Sequence, residues 1–194
     1  MSRCEAMCHL AVALLLLRSP PVLAGSADEG LDALMAALAQ RHHGEADYRQ
    51  EQYLSVLQRP LESAGELLYD APDHLEQRTL VPRRQSLVLD HGMLTIDDGK
   101  RSRTLPLAQM PQIAPLIDSI RATLAGDRTA LEHTFELRFS GTLEHWQLQL
   151  APRATAPQAN LAQITLQGTG DAIREVTLQQ RDGDRSLMHI TPRE

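Results

Sequence analysis

The side chains able to do chemistry in this 194-residue chain are histidines, acids and serines, and their spacing argues against catalysis. His42-His43, His74, His91, His133, His145 and His189 show no His-x-x-x-His repeat and no bracketing carboxylates. That is not a metal-ligand pattern, and solvated loop and strand-edge histidines are the ordinary reading. There is no Gly-x-Ser-x-Gly elbow, and no serine can be matched to a positioning His and Asp. Asp97-Asp98 and the pair Asp182 and Asp184 each flank a glycine, which is turn chemistry rather than acid-base chemistry. Gly168-Thr169-Gly170 lacks the further glycine and the basic partner of a phosphate loop. No enzyme, cofactor or metal is expected, which leaves binding through apolar surface.

The apolar residues fall into two periods. Leu31, Leu34, Met35 and Leu38 follow the i, i+3, i+4, i+7 rule of an amphipathic helix. Ser26-Ala-Asp-Glu29 reads as its capping box and Gly44 as its C-cap. A second helical stripe carries Ile113, Leu116, Ile117, Ile120 and Leu124. Pro115 belongs in the first turn of that helix and Gly126 ends it. Everything else alternates with period two, as half-buried strands do. Tyr48 to Leu57 is the first strand, and Leu61 to Asp70 the second, with Leu67 and Tyr69 on its apolar side. Asp70-Ala-Pro-Asp73 turns the chain into Leu75 to Leu80. Leu87, Leu89, Leu94 and Ile96 flank a hairpin at His91-Gly92, and Asp97-Asp98-Gly99 turns into Lys100 to Leu105. Phe135 and Leu137, then Trp146 and Leu148, alternate with Glu, Arg and Gln. After the Pro/Ala-rich connection from Pro152 to Asn160 come Ile164 and Leu166, Val176 and Leu178, an Asp182-Gly183 hairpin, and Arg185 to Thr191. This is an α+β chain: a curled antiparallel sheet of about nine to eleven strands with amphipathic helices to cover its apolar face.

Residues 1–24 read as a signal peptide, with a basic start, the short apolar run Leu10 to Leu17, and a cut after Ala24. Both cysteines, Cys4 and Cys8, leave with it. Residues 25–194 then make one domain without disulfides, exported to the periplasm and monomeric. Loss of Arg3, Arg18 and Glu5 leaves 17 basic and 24 acidic residues, a net charge of −7. That balance excludes nucleic acid as a partner and argues against docking on an anionic membrane surface.

The stretch Ser63-Ala-Gly-Glu-Leu-Leu-Tyr69, the turn at Pro72-Asp73 and the later Leu87-Val-Leu-Asp-His-Gly-Met-Leu94 occur in an order and spacing that resembles the periplasmic outer-membrane lipoprotein carrier family, LolA-like. Tyr48-Arg49-Gln50 fits the aromatic-x-Gln strand that follows the first helix in that family, and the resemblance runs from Leu31 to Ile190. It implies an incomplete β-barrel with a helical lid. It further implies that Leu67, Tyr69, Leu87, Leu89, Leu94, Ile96, Phe135, Leu137, Trp146 and Leu148 line a cavity for acyl chains, with Leu116, Ile117, Ile120 and Leu124 in the lid. The residues themselves fit a solid core equally well. Where many family members carry an arginine just before the turn proline, this chain has Ala71, which suits a divergent paralogue.

The expected function is carriage of the acyl chains of a lipoprotein or other lipid from an inner-membrane donor to an outer-membrane acceptor. Aromatics are only 3% of the chain, so any cavity would have deformable aliphatic walls. The alternative is a lipid- or lipoprotein-sensing regulatory module on the same scaffold. That alternative calls for a partner-binding domain or an exposed patch, and the last expected strand reaches almost to Glu194, so the carrier is preferred.

Overall fold

The computed structural model describes residues 27–110, 113–154 and 160–193. The expected signal peptide, both cysteines and the expected Ser26 cap lie outside the described residues, as does 155–159 of the Pro/Ala-rich connection. No helix among the described residues is long and apolar enough to cross a membrane.

Helix α1 (Ala27–Ala39) precedes five hairpin-linked strands: β1 (His43–Tyr53), β2 (Leu61–Asp70), β3 (His74–Val81), β4 (Gln85–Asp90) and β5 (Met93–Asp97). β6 (Ser102–Pro106) leads through a short 3-10 turn to α2 (Ala114–Leu124) and α3 (Arg128–Thr134). The chain finishes with β7 (Phe135–Thr142), β8 (His145–Pro152), β9 (Leu161–Thr169), β10 (Ala172–Gln180) and β11 (Arg185–Pro192). All eleven strands form one antiparallel sheet in the order β6-β5-β4-β3-β2-β1-β11-β10-β9-β8-β7. β6 and β7 are its two free edges, so the sheet is open. The segment carrying α2 and α3 joins those opposite edges and must therefore cross one face of the sheet. A helical cover is thus a consequence of chain connectivity as well as of hydrophobicity.

The local signals that held are those with a backbone reason. His91 (φ 47°) and Gly92 (φ 73°) both occupy the left-handed region that a two-residue hairpin needs. The four apolar residues of α1 are its buried ones.

Three expectations are corrected. Gly44 does not cap α1; it lies in β1 opposite Tyr69. That strand begins at His43 because Ala46 and Tyr48 alternate inward with the exposed Glu45 and Asp47. It ends at Tyr53, and 54–60 form a loop. In α2 the most buried residues are Ser119 and Thr123, not the Leu and Ile stripe. Their hydroxyls donate to the carbonyls of Leu116 and Ser119, both at 2.7 Å, so they are satisfied within the helix. Small, internally bonded side chains let this face approach its neighbours closely, while the bulkier residues stay half-buried.

The third correction is α3, which was not expected. Gly126 (φ 64°) closes α2 in a Schellman turn: its N–H donates to Thr123 O at 3.0 Å, and Asp127 N–H to Ala122 O at 2.8 Å. The Asp127 side chain then caps α3 by accepting from Ala130 N–H at 2.9 Å. A methyl at Gly126 would come within 2.2 Å of Met35 O, so the end of α2 rests directly on α1.

Candidate functional site

The helix-covered inner face has three zones. Under α1 and α3, the side chains of β7, β8 and β9 form a closed cluster. Leu31, Leu34, Met35 and Leu38 meet Leu131, Phe135, Trp146, Leu148, Leu150, Ile164 and Leu166, with Leu116 and Leu137 packed against them. The fit is tight: a methyl at Gly30 would come within 2.4 Å of the Phe139 ring, and one at Gly168 within 2.2 Å of Trp146. Trp146 Nε1 donates to Gly170 O at 2.9 Å, so its one polar atom is satisfied.

Across the sheet, β4, β5 and the 3-10 turn bury only Leu89, Leu94 and Leu107. Leu75, Leu87, Ile96, Met110, Ile113 and Ile117 pack around these three and remain half-buried.

Between the two clusters run β1, β2 and β11. Tyr48 and Tyr69 are buried there and Leu67 is half-buried. Strand register sets Gln50 opposite Ser63 on one side and Met188 on the other. Gln50 Nε2 donates to Ser186 Oγ at 2.6 Å, and Tyr48 OH lies 2.7 Å from Thr79 Oγ1. A polar seam therefore separates two apolar zones. On α2, Ile120 and Leu124 are half-buried and belong to neither cluster.

Of the expected site residues, Phe135, Trp146, Leu148, Leu137 and Leu116 come together in or against the closed cluster. Leu87, Leu89, Leu94, Ile96 and Ile117 come together in or against the looser one. A cleft of about 490 Å³ opens where α2 and α3 meet the β2–β3 turn. Its walls include Pro72, Asp73, Asp118, Ser119, Arg121, Leu131, His133 and Phe135. Among the expected residues only Phe135 reaches it. Pro72 and Asp73 looked like pure turn residues in the sequence, and Arg121 lay on the polar side of an amphipathic helix, where nothing distinguished it. Ala71 itself makes a backbone contact, its N–H donating to His42 O at 2.8 Å. Arg121 of α2 lines the same cleft as Pro72 and Asp73, and its guanidinium bonds Asp118 of its own helix at 3.1 Å.

Ion pairs fasten the cover. Arg128 of α3 donates to Asp28 and Asp32 of α1, at 3.1 and 2.6 Å, and to Glu132 in its own helix at 2.6 Å. Arg41, just beyond α1, holds Asp171 in the β9–β10 turn at 2.9 Å and keeps that carboxyl below the usual range. On the opposite face of the sheet Arg193 bridges Asp47 and Glu66. His43 sits 2.5 Å from Asp70, a bond that raises the imidazole pKa; His91 is raised in the same way by Asp90. Among the described residues no group of three His, Cys, Asp or Glu is placed to hold a metal ion.

Residues 24–190 match the family model described as outer membrane lipoprotein carrier protein LolA-like. No curated protein matches the chain. Among solved structures it is similar to a LolA superfamily protein from Nitrosomonas europaea, at 10% identity over 87% of this chain and 92% of that one, with a TM-score of 0.46. It is also similar to a chain of the Pseudomonas aeruginosa MucA/MucB complex, at 16% identity over 86% of this chain and 56% of that one, TM-score 0.43. A DUF1329 family protein from Desulfovibrio piger is 7% identical over 85% of this chain and 91% of that one, TM-score 0.48.

Proposed function

The chain belongs to the LolA-like outer membrane lipoprotein carrier family, whose members bind lipids or lipoproteins, and from that premise we propose that it is a periplasmic carrier of acyl chains. The observation that carries this reading is the incomplete burial beneath the lid. Leu87, Ile96 and Ile117 pack around Leu89, Leu94 and Leu107 yet remain half-buried, and Leu67, Ile120 and Leu124 are half-buried without belonging to either cluster. Each methylene of a guest chain that they enclose is worth roughly 0.8 kcal/mol. Leu89, Leu94 and Tyr69 form the floor of that site, while Phe135, Leu137, Trp146, Leu148 and Leu116 form the solid wall at its far side.

No covalent step is involved. The guest enters from an inner-membrane donor, α2 covers it, and an outer-membrane acceptor takes it up more tightly. A lid whose open and closed states differ by a few kcal/mol permits release. The lid rests on α1 at Gly126, and Arg121 lines the cleft between α2 and the β2–β3 turn that carries Ala71.

The test is uptake of a fluorescent fatty-acyl probe, with native mass spectrometry of the protein purified from periplasm without detergent. The expected result is saturable uptake that Ile120→Asp and Leu67→Asp abolish while the fold persists. Absence of any uptake, with no co-purifying lipid, overturns the reading. The sensing alternative requires an exposed apolar patch for a membrane partner, and exposed aliphatic residues such as Val56 and Val81 are present. Transfer of bound probe to acceptor vesicles supports the carrier; retention until a membrane protein is added supports the sensor.

A further inference from the structure

One end of the sheet differs in character from the rest of the surface. It is built from the loop 54–60, the turn 82–84 and the turn 98–101, which follow or precede adjacent strands β1 to β6. Register brings them together: Gln52 pairs with Leu61, Ala64 with Val81, Thr79 with Gln85, and Ser86 with Asp97. The carbonyl of Arg84 lies 3.5 Å from where a Gly99 Cβ would stand.

This rim concentrates exposed aliphatic side chains. Val56, 86% exposed, stands with Leu57, Leu61, Leu80 and Val81, and all five are outside both core clusters. It also concentrates cations. Arg59, Arg83, Arg84, Lys100, Arg101 and Arg103 are exposed, and the segments 54–60, 82–84 and 97–103 contain only Asp97 and Asp98 to oppose them. With Glu62 beside Leu61 and Asp184, which accepts from Ser55 N–H at 2.7 Å, six cations face four carboxylates, a local excess of two in a chain whose net charge is −6.

Asp97 and Asp98 are engaged with the backbone of their own turn. Asp97 accepts from Gly99 N–H, and Asp98 from Lys100 and Arg101 N–H. Arg103 is close enough to help hold the Asp98 carboxyl below its usual range, but none of the six cations forms an ion pair among the described residues. Elsewhere Arg41, Arg78, Arg121, Arg128 and Arg193 are paired with carboxylates, while Arg153, Arg174 and Arg185 are engaged by a carbonyl, a hydroxyl and a ring.

We propose that this rim, with Val56, Leu57, Leu80 and Val81 ringed by Arg59, Arg83, Arg84 and Lys100, docks the protein on the surface of an anionic phospholipid bilayer. Charge complementarity selects the occupant. Aliphatic side chains at projecting loop ends insert shallowly among headgroups, and unpaired cations beside them lie at the depth of lipid phosphates. A protein partner of this size would more often be met by several aromatic anchors; at this end Tyr53 is already engaged, with Arg185 stacked 4.1 Å over its ring and its hydroxyl bonded to Glu51. The net negative charge, which in the sequence argues against an anionic surface, is an average over the chain; at physiological salt charges act over about 8 Å, so the local excess at the rim governs this contact. This inference stands apart from acyl binding, and its test reads a different quantity.

The experiment is vesicle flotation of the full chain as processed on export, using phosphatidylglycerol/phosphatidylethanolamine vesicles and neutral phosphatidylcholine vesicles. Binding is expected to the anionic vesicles at low salt, falling more than about tenfold in R83E/R84E/K100E, since each basic residue near the surface contributes measurably. Val56→Asp is expected to weaken binding with the acyl-probe affinity unchanged. High salt applied to the unaltered protein checks the electrostatic part without any variant. Equal binding to neutral vesicles, an unaffected triple variant, or no flotation at low salt would each overturn the proposal. Salt-sensitive crosslinking from the rim to an acidic protein without flotation would assign the surface to that partner instead.

Discussion

The two sides of the sheet solve the same covering problem differently. On the β7–β9 side, α1 places four aliphatic residues on a wall of aromatic and aliphatic side chains, and α3 closes the corner with Leu131. On the β3–β5 side only Leu89, Leu94 and Leu107 are fully enclosed, and a ring of half-buried residues surrounds them. The first zone has the packing of a structural core. The second holds apolar surface that the protein's own side chains leave unfinished. The carrier role proposed above would use both, a rigid wall for stability and a loosely packed zone for a guest. The polar seam of Gln50, Ser63 and Ser186 marks the boundary between them.

The largest expected effect breaks this comparison if it fails. Phe135→Ala removes a ring that is 1% exposed, and should cost about 3–5 kcal/mol in urea unfolding. Ile120→Ala on the half-buried face of α2 should cost less than about 1 kcal/mol, since little enclosed contact is lost. The same variant should weaken acyl-probe uptake severalfold. Similar stability losses at both positions would mean that the two zones are one continuous core.

Gly126→Ala sharpens the comparison at the lid attachment. The residue sits at φ 64°, and its new methyl would collide with the carbonyl of Met35. A cost of about 1–3 kcal/mol is expected from strain and displacement of α2 from α1. Thermal melting should show the loss, and probe uptake should become faster as the cover loosens. An unchanged melting temperature would show that the α2–α1 contact is not close in solution.

How much of this was legible in the sequence follows from what each signal measures. Alternation and turn chemistry report local geometry, so β2 through β5 and the His91-Gly92 hairpin could be read directly. The i, i+3, i+4, i+7 stripe of α1 was equally clear, because one face does all the burying. α2 misled for a tertiary reason: its stripe is divided, Leu116 against the closed cluster, Ile113 and Ile117 against the looser one and Ile120 and Leu124 in neither, while Ser119 and Thr123 are its buried residues. α3 has seven residues, too few for a periodicity, and only Asp127 after Gly126 hinted at it. The cleft was hidden because Asp73, Arg121 and His133 come from three separate elements. The basic rim was hidden for the same reason, its cations being distributed over three loops and masked by the acidic total.

The smallest expected effect concerns the fastening of the closed side. Arg41 crosses from the end of α1 to Asp171 in the β9–β10 turn, and the guanidinium holds that carboxyl below its ordinary value. A carboxyl depressed in the folded state binds its proton more weakly there than when unfolded. Its contribution is therefore fully present above the unfolded pKa near 3.8 and is lost as pH falls through the lower folded value. Because the Asp171 side chain is 44% exposed, solvent screening limits the pair to less than about 1 kcal/mol. In Asp171→Asn this acid-sensitive increment disappears, so urea curves for the two proteins should separate at neutral pH and converge as pH falls below the unfolded value of 3.8. A constant separation across that range would assign the loss to packing in the turn. If the pair fastens only the already solid half, Asp171→Asn should also leave acyl-probe affinity untouched, which the loosening at Gly126 should not.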